Sequence, residues 1–285
     1  ATGGITMTPP DQYKENSVGK ALPGVELKIE EDGELCMKGP YISSGFYKDE
    51  NSESFNNGWF HSGDIFNEEN GYYFIIDRKK DIYKNSRGQT IAPQKIENLF
   101  QDFDLVKSVF LVGDGREYNT VLIYPNKENV DFDLKNMNEN QVQGIFSAML
   151  ISINGFLSPF ERIVNFAIID RNFSSENNEL TQKGTFKRKN IIYNFNTVIE
   201  SMYKKDYVSL YNENKEIKFP NWLIREIGTI KSNIKWNGNE ISINDKNIFL
   251  TFRWLDENAN IGKFDYDIKK QTFDLSQFIN DPKLW

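Results

Sequence analysis

Short β-favouring runs broken by turn residues fill the chain up to Arg78, and helical spacing takes over after Ala92. The segments GVELKI (Gly24–Ile29), GELCMKGP (Gly33–Pro40) and GYYFIIDR (Gly71–Arg78) predict strands, and Pro-Gly, Asp-Gly and Asn-Gly pairs between them predict tight turns. APQKIENLF opens on a proline that a first helical turn tolerates and spaces Ile96, Leu99 and Phe100 along one face, so it predicts a helix. VKSVFLVGDGREYNTVLIYPN then sets two apolar runs around Gly-Asp-Gly, the pattern of a hairpin. Val142, Ile145, Phe146, Met149, Leu150 and Ile153 repeat with helical period and predict an amphipathic helix whose stripe faces a core. Beyond Asp206 the segment NIKWNGNEISINDKNIFLTFRW alternates with period two around Asn-Gly and Asn-Asp, which predicts a β-meander. The fold class is α+β, with boundaries expected near Asp77–Asp81 and near Tyr203–Val208.

Composition narrows the function. The 285 residues allow two or three domains, and 39% hydrophobic content is enough for real cores. A net charge of -7 with no long basic stretch argues against a nucleic-acid surface. Cys36 is the only cysteine, which excludes an internal disulfide and points to a reducing, cytoplasmic setting. No apolar run approaches the ~18 residues of a membrane span. The opening ATGGITMTPP is no signal peptide, and a start on Ala1 fits a piece of a longer protein.

The only histidine, His61, lies in GWFHSGD (Gly58–Asp64). A histidine needs a nucleophile with an orienting acid, or further metal ligands, to do chemistry. There is no second histidine, and Cys36 stands in no ligand-spaced cluster, so His61 reads as a packed, hydrogen-bonded side chain and no metal ligand is assigned. Asp64 follows Ser62-Gly63, read as a turn where backbone approaches a ligand closely. A carboxylate there can accept two hydroxyl hydrogen bonds, the way a ribose diol is held. In isolation an aspartate in a turn is more often a cap or turn former.

Its neighbours decide between these. SVGKALPGVELKI, GPYISSGFYKD, GWFHSGD and DRKKDIYKNSRGQTIAPQKIE follow in that order. Together they resemble the adenylate-forming superfamily, most closely the long-chain fatty acyl-CoA synthetases, over roughly residues 1–203. The resemblance implies a β-barrel part of the large domain (1–78), a mobile α+β lid domain (79–205), and an appended strand-rich module (206–285) of unrecognised family. It implies ATP and Mg2+ for acyl-AMP formation, then attack by the thiol of CoA, with the small domain swinging between the two steps. On it Asp64 and Arg78 match the ribose-contacting residues, Lys80 the hinge, and Gly88 the loop lining the pantetheine tunnel, where Arg87 replaces a first glycine. Expected substrates are a fatty acid and CoA or an acyl carrier protein. Peripheral membrane association of the complete protein and a protein partner for the appended module stay open.

The chain also departs from the pattern. It contains no Ser/Thr-Gly-Thr-x-Lys loop, and the magnesium-holding glutamate motif would precede Ala1. At the family's C-terminal lysine stands Thr185, in ELTQKGTFKRK, with Lys183 as the spare cation. An extended segment would put Lys183, Thr185 and Lys187 on one face, ~6.6 Å per step, within reach of a lysine side chain. Two readings follow: the C-terminal portion of a synthetase, or a nucleotide-binding or regulatory protein on the same fold. Either way the chain alone should release no pyrophosphate above background from ATP and palmitate, measured with a coupled pyrophosphate assay.

Overall fold

The computed structural model describes residues 3–45, 54–129, 134, 136–255 and 258–282; residues 46–49 of the GPYISSGFYKD segment lie outside them. The chain divides into two units, residues 1–83 with 90–95, and residues 84–89 with 96–285. The fold is mixed α+β, rich in strands.

In the first unit the three predicted runs are strands Glu26–Ile29, Glu34–Lys38 and Tyr72–Arg78. They join Phe55–Asn56 and the long strand Trp59–Glu69 in one antiparallel sheet. The pairing branches at Trp59–Glu69, so the expected barrel piece is an open five-stranded sheet among the described residues. Leu35, Cys36 and Met37 are buried along its middle. Ser62-Gly63 of the GWFHSGD motif, expected as a turn, lies inside Trp59–Glu69. Register slips on both sides of it, between Glu34 and Cys36 and between Ile65 and Phe66, and Gly63 takes a φ of 71° there. A left-handed residue inserted in a ladder makes a bulge, and the strand continues through it because both its neighbours remain available to pair.

In the second unit Val106–Val112 and Asn119–Pro125 form the predicted hairpin, and Ile163–Ile168 adds in parallel to the latter. A parallel neighbour requires a crossover. The helix Glu139–Asn154 supplies it, started by a capping box between Asn138 and Gln141. Of its predicted stripe, Phe146, Met149, Leu150 and Ile153 are buried. Helices Arg188–Asn194 and Asn196–Tyr203 close a core around Phe110, Leu122, Ile191 and Ile199.

After Asp206 a hairpin of Tyr207–Asn212 and Lys215–Pro220 receives Thr272–Asp274 in parallel. The predicted meander forms and runs on to five strands, Ile234–Trp236 through Phe264–Asp267. Its buried face holds Trp236 and Phe252, which cluster with Phe273 of the three-stranded sheet and with Tyr118 and Val164 from the preceding domain. The contacts therefore show no division near Tyr203–Val208. A sheet with one apolar face must cover it, and the preceding domain contributes part of the cover. Asn221 Nδ2 donates to the Tyr118 hydroxyl at 2.9 Å, and Arg225 Nη1 to the Glu117 carbonyl at 2.8 Å. Among the described residues no helix is long and apolar enough to cross a membrane.

A shared core makes a testable claim. Phe252→Ala should cost about 3–5 kcal/mol as a large buried aromatic, read as a lower urea midpoint by tryptophan fluorescence. Val164→Ala, outside the meander, should lower the same transition; an unmoved midpoint would mean that the two cores are independent.

Candidate functional site

Asp64 and Arg78 are ladder partners, so their side chains emerge on the same face of the sheet. Arg78 Nε lies 3.1 Å from Asp64 Oδ1. Burial raises the Asp64 carboxyl above the usual carboxylate range, and the Arg78 guanidinium pulls the other way. Its second oxygen has no protein donor among the described residues. An anionic acceptor beside a planar fork of donors can hold a vicinal diol, with the carboxylate accepting and the guanidinium donating.

The bulge carrying Asp64 is held by a residue that sequence reading passed over. Glu34, buried on the adjacent strand, accepts from the Gly63 N–H through Oε1 at 2.8 Å and from Lys79 Nζ through Oε2 at 2.8 Å. Lys79 also reaches Asp32 at 2.7 Å, and its own N–H donates to the Gly63 carbonyl at 2.9 Å. Burial would raise the Glu34 carboxyl, but Lys79, the Gly63 N–H and His61 outweigh it and hold it below the usual range. The GE-to-DRKK spacing gave no signal of this contact, because only the sheet brings the segments together.

His61 Nδ1 lies 3.3 Å from Glu34 Oε2 and 3.2 Å from Cys36 Sγ. The cysteine that belongs to no cluster in sequence thus joins a carboxylate and an imidazole within 4.8 Å. The Lys79 ammonium occupies the carboxylate oxygen nearest His61, and burial pushes the Cys36 thiol up to about 11. Both oppose a cation at this point, since metal ligation needs the thiolate and a free carboxylate. His61 is a packed, hydrogen-bonded member of the motif.

Asp77 joins the strand end to the next element. Its buried carboxylate accepts from Arg78 N at 2.6 Å and from Gln94 N at 2.7 Å, in the first turn of the helix Pro93–Asn98. Lys80 is exposed in the turn after the strand, shortly before the contacts change unit at Tyr83. Gly88 sits in a loop organised by Asn85, whose Oδ1 accepts from both Arg87 N and Gln89 N at 3.0 Å. Gly88 has a φ of 78° with open space around it, so its conformation and not its bulk demands glycine. Arg87 is not among the positive-φ residues. Arginine is therefore accommodated where a glycine is usual, and it pairs with Glu117 at 3.1 Å.

Lys183 is placed differently from the extended expectation. Residues 181–185 close a hairpin turn: Thr181 N donates to Thr185 O at 2.9 Å, Gly184 N to Thr181 O at 3.0 Å, and Leu180 bridges Phe186. The two threonine hydroxyls meet at 2.7 Å. Lys183, Thr185 and Lys187 consequently do not share one strand face; the Thr181–Thr185 pairing wins over extension. Lys183 is exposed at the tip with no protein partner among the described residues, whereas Lys187 Nζ donates to Asn178. The hairpin base is fixed by Glu179, fully buried, which takes Arg171 through both oxygens at 2.6 and 2.9 Å and Asn194 at 2.9 Å.

Residues 80–207 match the AMP-binding enzyme C-terminal domain. Fatty acyl-CoA synthetase B of Dictyostelium discoideum is 34% identical over 61% of this chain and 28% of its own length. A long-chain-fatty-acid–CoA ligase of Mycobacterium tuberculosis is 29% identical over 72% of this chain and 37% of its own. The A-PCP didomain of a carboxylic acid reductase from Segniliparus rugosus, solved with AMP, shares the fold at a TM-score of 0.53 and 24% identity, over 65% of this chain and 28% of that one. The chain thus spans between 28% and 38% of the length of these curated relatives. Motif order, the matched domain and these relatives together make the chain a member of the adenylate-forming superfamily, carrying its C-terminal portion.

Proposed function

We propose that the complete protein is an ATP-dependent acid–thiol ligase that converts a fatty acid to acyl-AMP and then to a thioester of CoA or a carrier protein. The observation that carries this reading is the Asp64–Arg78 pair, an acceptor and a donor fork on one sheet face, held by the Glu34–Lys79 network. In this reading Asp64 accepts the ribose hydroxyls and Arg78 donates to ribose oxygen. ATP, Mg2+ and CoA are the cofactors; this chain itself contains no Ser/Thr-Gly-Thr-x-Lys loop. Lys80, in its exposed turn where one unit ends, is the hinge, and Gly88 lines the thiol's approach. Residues 79–205 act as the mobile domain, and residues 206–285, sharing its core, travel with it.

Lys183 is the adenylation cation. A hairpin tip presents an ammonium further from the backbone ladder than a strand position does, which compensates for the two-residue displacement from Thr185. Positive charge aimed at developing phosphate charge is the kind of term worth ~3 kcal/mol or more in a closed site.

One observation favours the second reading, a nucleotide-binding or regulatory protein on this fold: Thr185 stands at the family's lysine position and is tied to Thr181. Lys183→Ala separates the two. In the complete protein it should cut acyl-AMP formation by about a hundredfold, on the size of such electrostatic terms, and leave thioester formation from supplied acyl-AMP intact. Equal adenylation by both proteins would sink the lysine assignment. Asp64→Ala should raise the KM for ATP at least about tenfold, the loss of a charge-assisted hydrogen bond. Glu34→Gln, which touches no substrate, should raise the same KM by releasing the Gly63 bulge while kcat for the thioester step holds; an unchanged KM would make Glu34 merely structural.

A further inference from the structure

One sheet edge in the second unit is left unprotected, independently of any ligase activity. A strand at an edge exposes unpaired N–H and C=O groups, and proteins blunt such edges with charge, side-chain caps or very short strands. The other edges of the three- and five-stranded sheets in this unit are blunted in these ways. In Val106–Val112 the Leu111 N–H donates to Glu97 Oε1 at 2.7 Å, and the Leu111 carbonyl accepts from Arg188 Nη2 at 2.6 Å. In Ile163–Ile168 the Phe166 N–H donates to Asn165 Oδ1 at 2.9 Å. The meander ends on Ile234–Trp236, three residues with Lys235 exposed, and on Phe264–Asp267, with Asp265 and Asp267 exposed. Thr272–Asp274 is three residues long and ends on an exposed aspartate. Tyr207–Asn212 departs from this pattern: its six residues, YVSLYN, include no charge.

Register decides which groups of this strand are free. It pairs with Lys215–Pro220 from Asn212 opposite Lys215, beside the two-residue turn, to Tyr207 opposite Pro220. Antiparallel partners alternate between hydrogen-bonded and non-bonded pairs. Val208, Leu210 and Asn212 therefore bond inward, and the N–H and C=O of Tyr207, Ser209 and Tyr211 point out of the sheet. None of these six groups has a hydrogen-bond partner among the described residues. The same three residues line a cavity of ≈ 320 Å³, so the edge meets open volume, and Tyr211 is 66% exposed. The edge also differs in charge from end to end. Lys205 Nζ and Lys218 Nζ stand over the Tyr207 ring at 5.3 and 4.6 Å. Glu216 lies at the other end, accepting from Ser209 Oγ at 2.6 Å and from the Tyr211 hydroxyl at 3.3 Å. These hydrogen bonds, that of Ser209 foremost, hold the Glu216 carboxyl below its usual range, so it stays anionic. An acidic peptide would match one end and a basic peptide the other. An antiparallel copy of the same strand matches both.

We infer that two copies of this chain pair through Tyr207–Asn212, antiparallel about a two-fold axis at Ser209, joining two three-stranded sheets into one of six strands. Only this register sets all three outward-pointing residues against outward-pointing residues: Ser209 meets its own equivalent, and Tyr207 of each copy meets Tyr211 of the other. The lysine end of each strand then lies beside the Glu216 end of its mate. Sedimentation velocity of the 285-residue chain should show a monomer–dimer equilibrium with a micromolar midpoint. Tyr211→Lys, at an exposed position, sets a cation against Lys205 and Lys218 of the other copy. It should weaken association by at least about tenfold, as like charges brought together do, with an unchanged melting temperature. Thr251→Lys, exposed on the meander, should associate as the parent does. Cysteine pairing reads the register, because hydrogen-bonded partners sit ~5.5 Å apart at Cα, within the span of a disulfide, and Cys36 is fully buried. Under air oxidation Ser209→Cys should give a disulfide-linked dimer, and Tyr211→Cys should link only when mixed with Tyr207→Cys. Should Tyr211→Lys lose its fold, the cysteine variants decide. A parent chain that stays monomeric at millimolar concentration overturns the proposal. So does a dimer that Tyr211→Lys leaves unchanged, or one in which Tyr211→Cys links to itself and Ser209→Cys does not.

Discussion

The Glu34 carboxylate is the constraint on which the candidate nucleotide site depends. It is buried, and one oxygen holds the Gly63 N–H of the bulge while the other meets Lys79 beyond the next strand. A buried carboxylate left without donors is expensive, and removing one partner of a buried pair costs more than the pair contributes. The bulge, the strand end and the Lys79 turn therefore hold one another in place. Asp64 and Arg78 sit between these fixed points, so their mutual geometry is set by a charge that neither touches.

The second unit repeats this device. Glu179 is enclosed by Arg171, Asn194 and the Ser174 N–H, and it anchors the base of the hairpin that carries Lys183. Glu97 is likewise buried, accepting from Leu111 N at 2.7 Å and pairing with Arg188 at 2.9 Å, which ties the first helix of the unit to the segment after the hairpin. At Glu179 the acid is sequestered beneath the hairpin while Lys183 stands exposed at its tip.

The C-terminal strands alter how movement of the small domain would be carried. Because Tyr118 and Val164 share a core with Trp236, Phe252 and Phe273, any rotation of the domain takes the meander with it.

Much of the architecture was legible from residues alone. Period-two runs bounded by Gly-containing turns became strands, and the stripe from Val142 to Ile153 became a capped helix, because alternation and helical spacing are local properties of the chain. The motif order GWFHSGD, DRKKD and KRK singled out Asp64 and Arg78 as candidates and Lys183 as the spare cation beside Thr185, because spacing along a chain survives in the sequence. What tertiary structure decided was every relation across strands. Sequence could not show that Ser62-Gly63 is a bulge and not a turn, since that depends on which strands flank it. Nor could it show that Cys36 and His61 are neighbours, that Glu34 and Lys79 clamp the site, or that Thr181 and Thr185 close Lys183 into a hairpin tip. Such contacts join residues far apart or reversed along the chain, and only packing sets which buried polar group finds which partner.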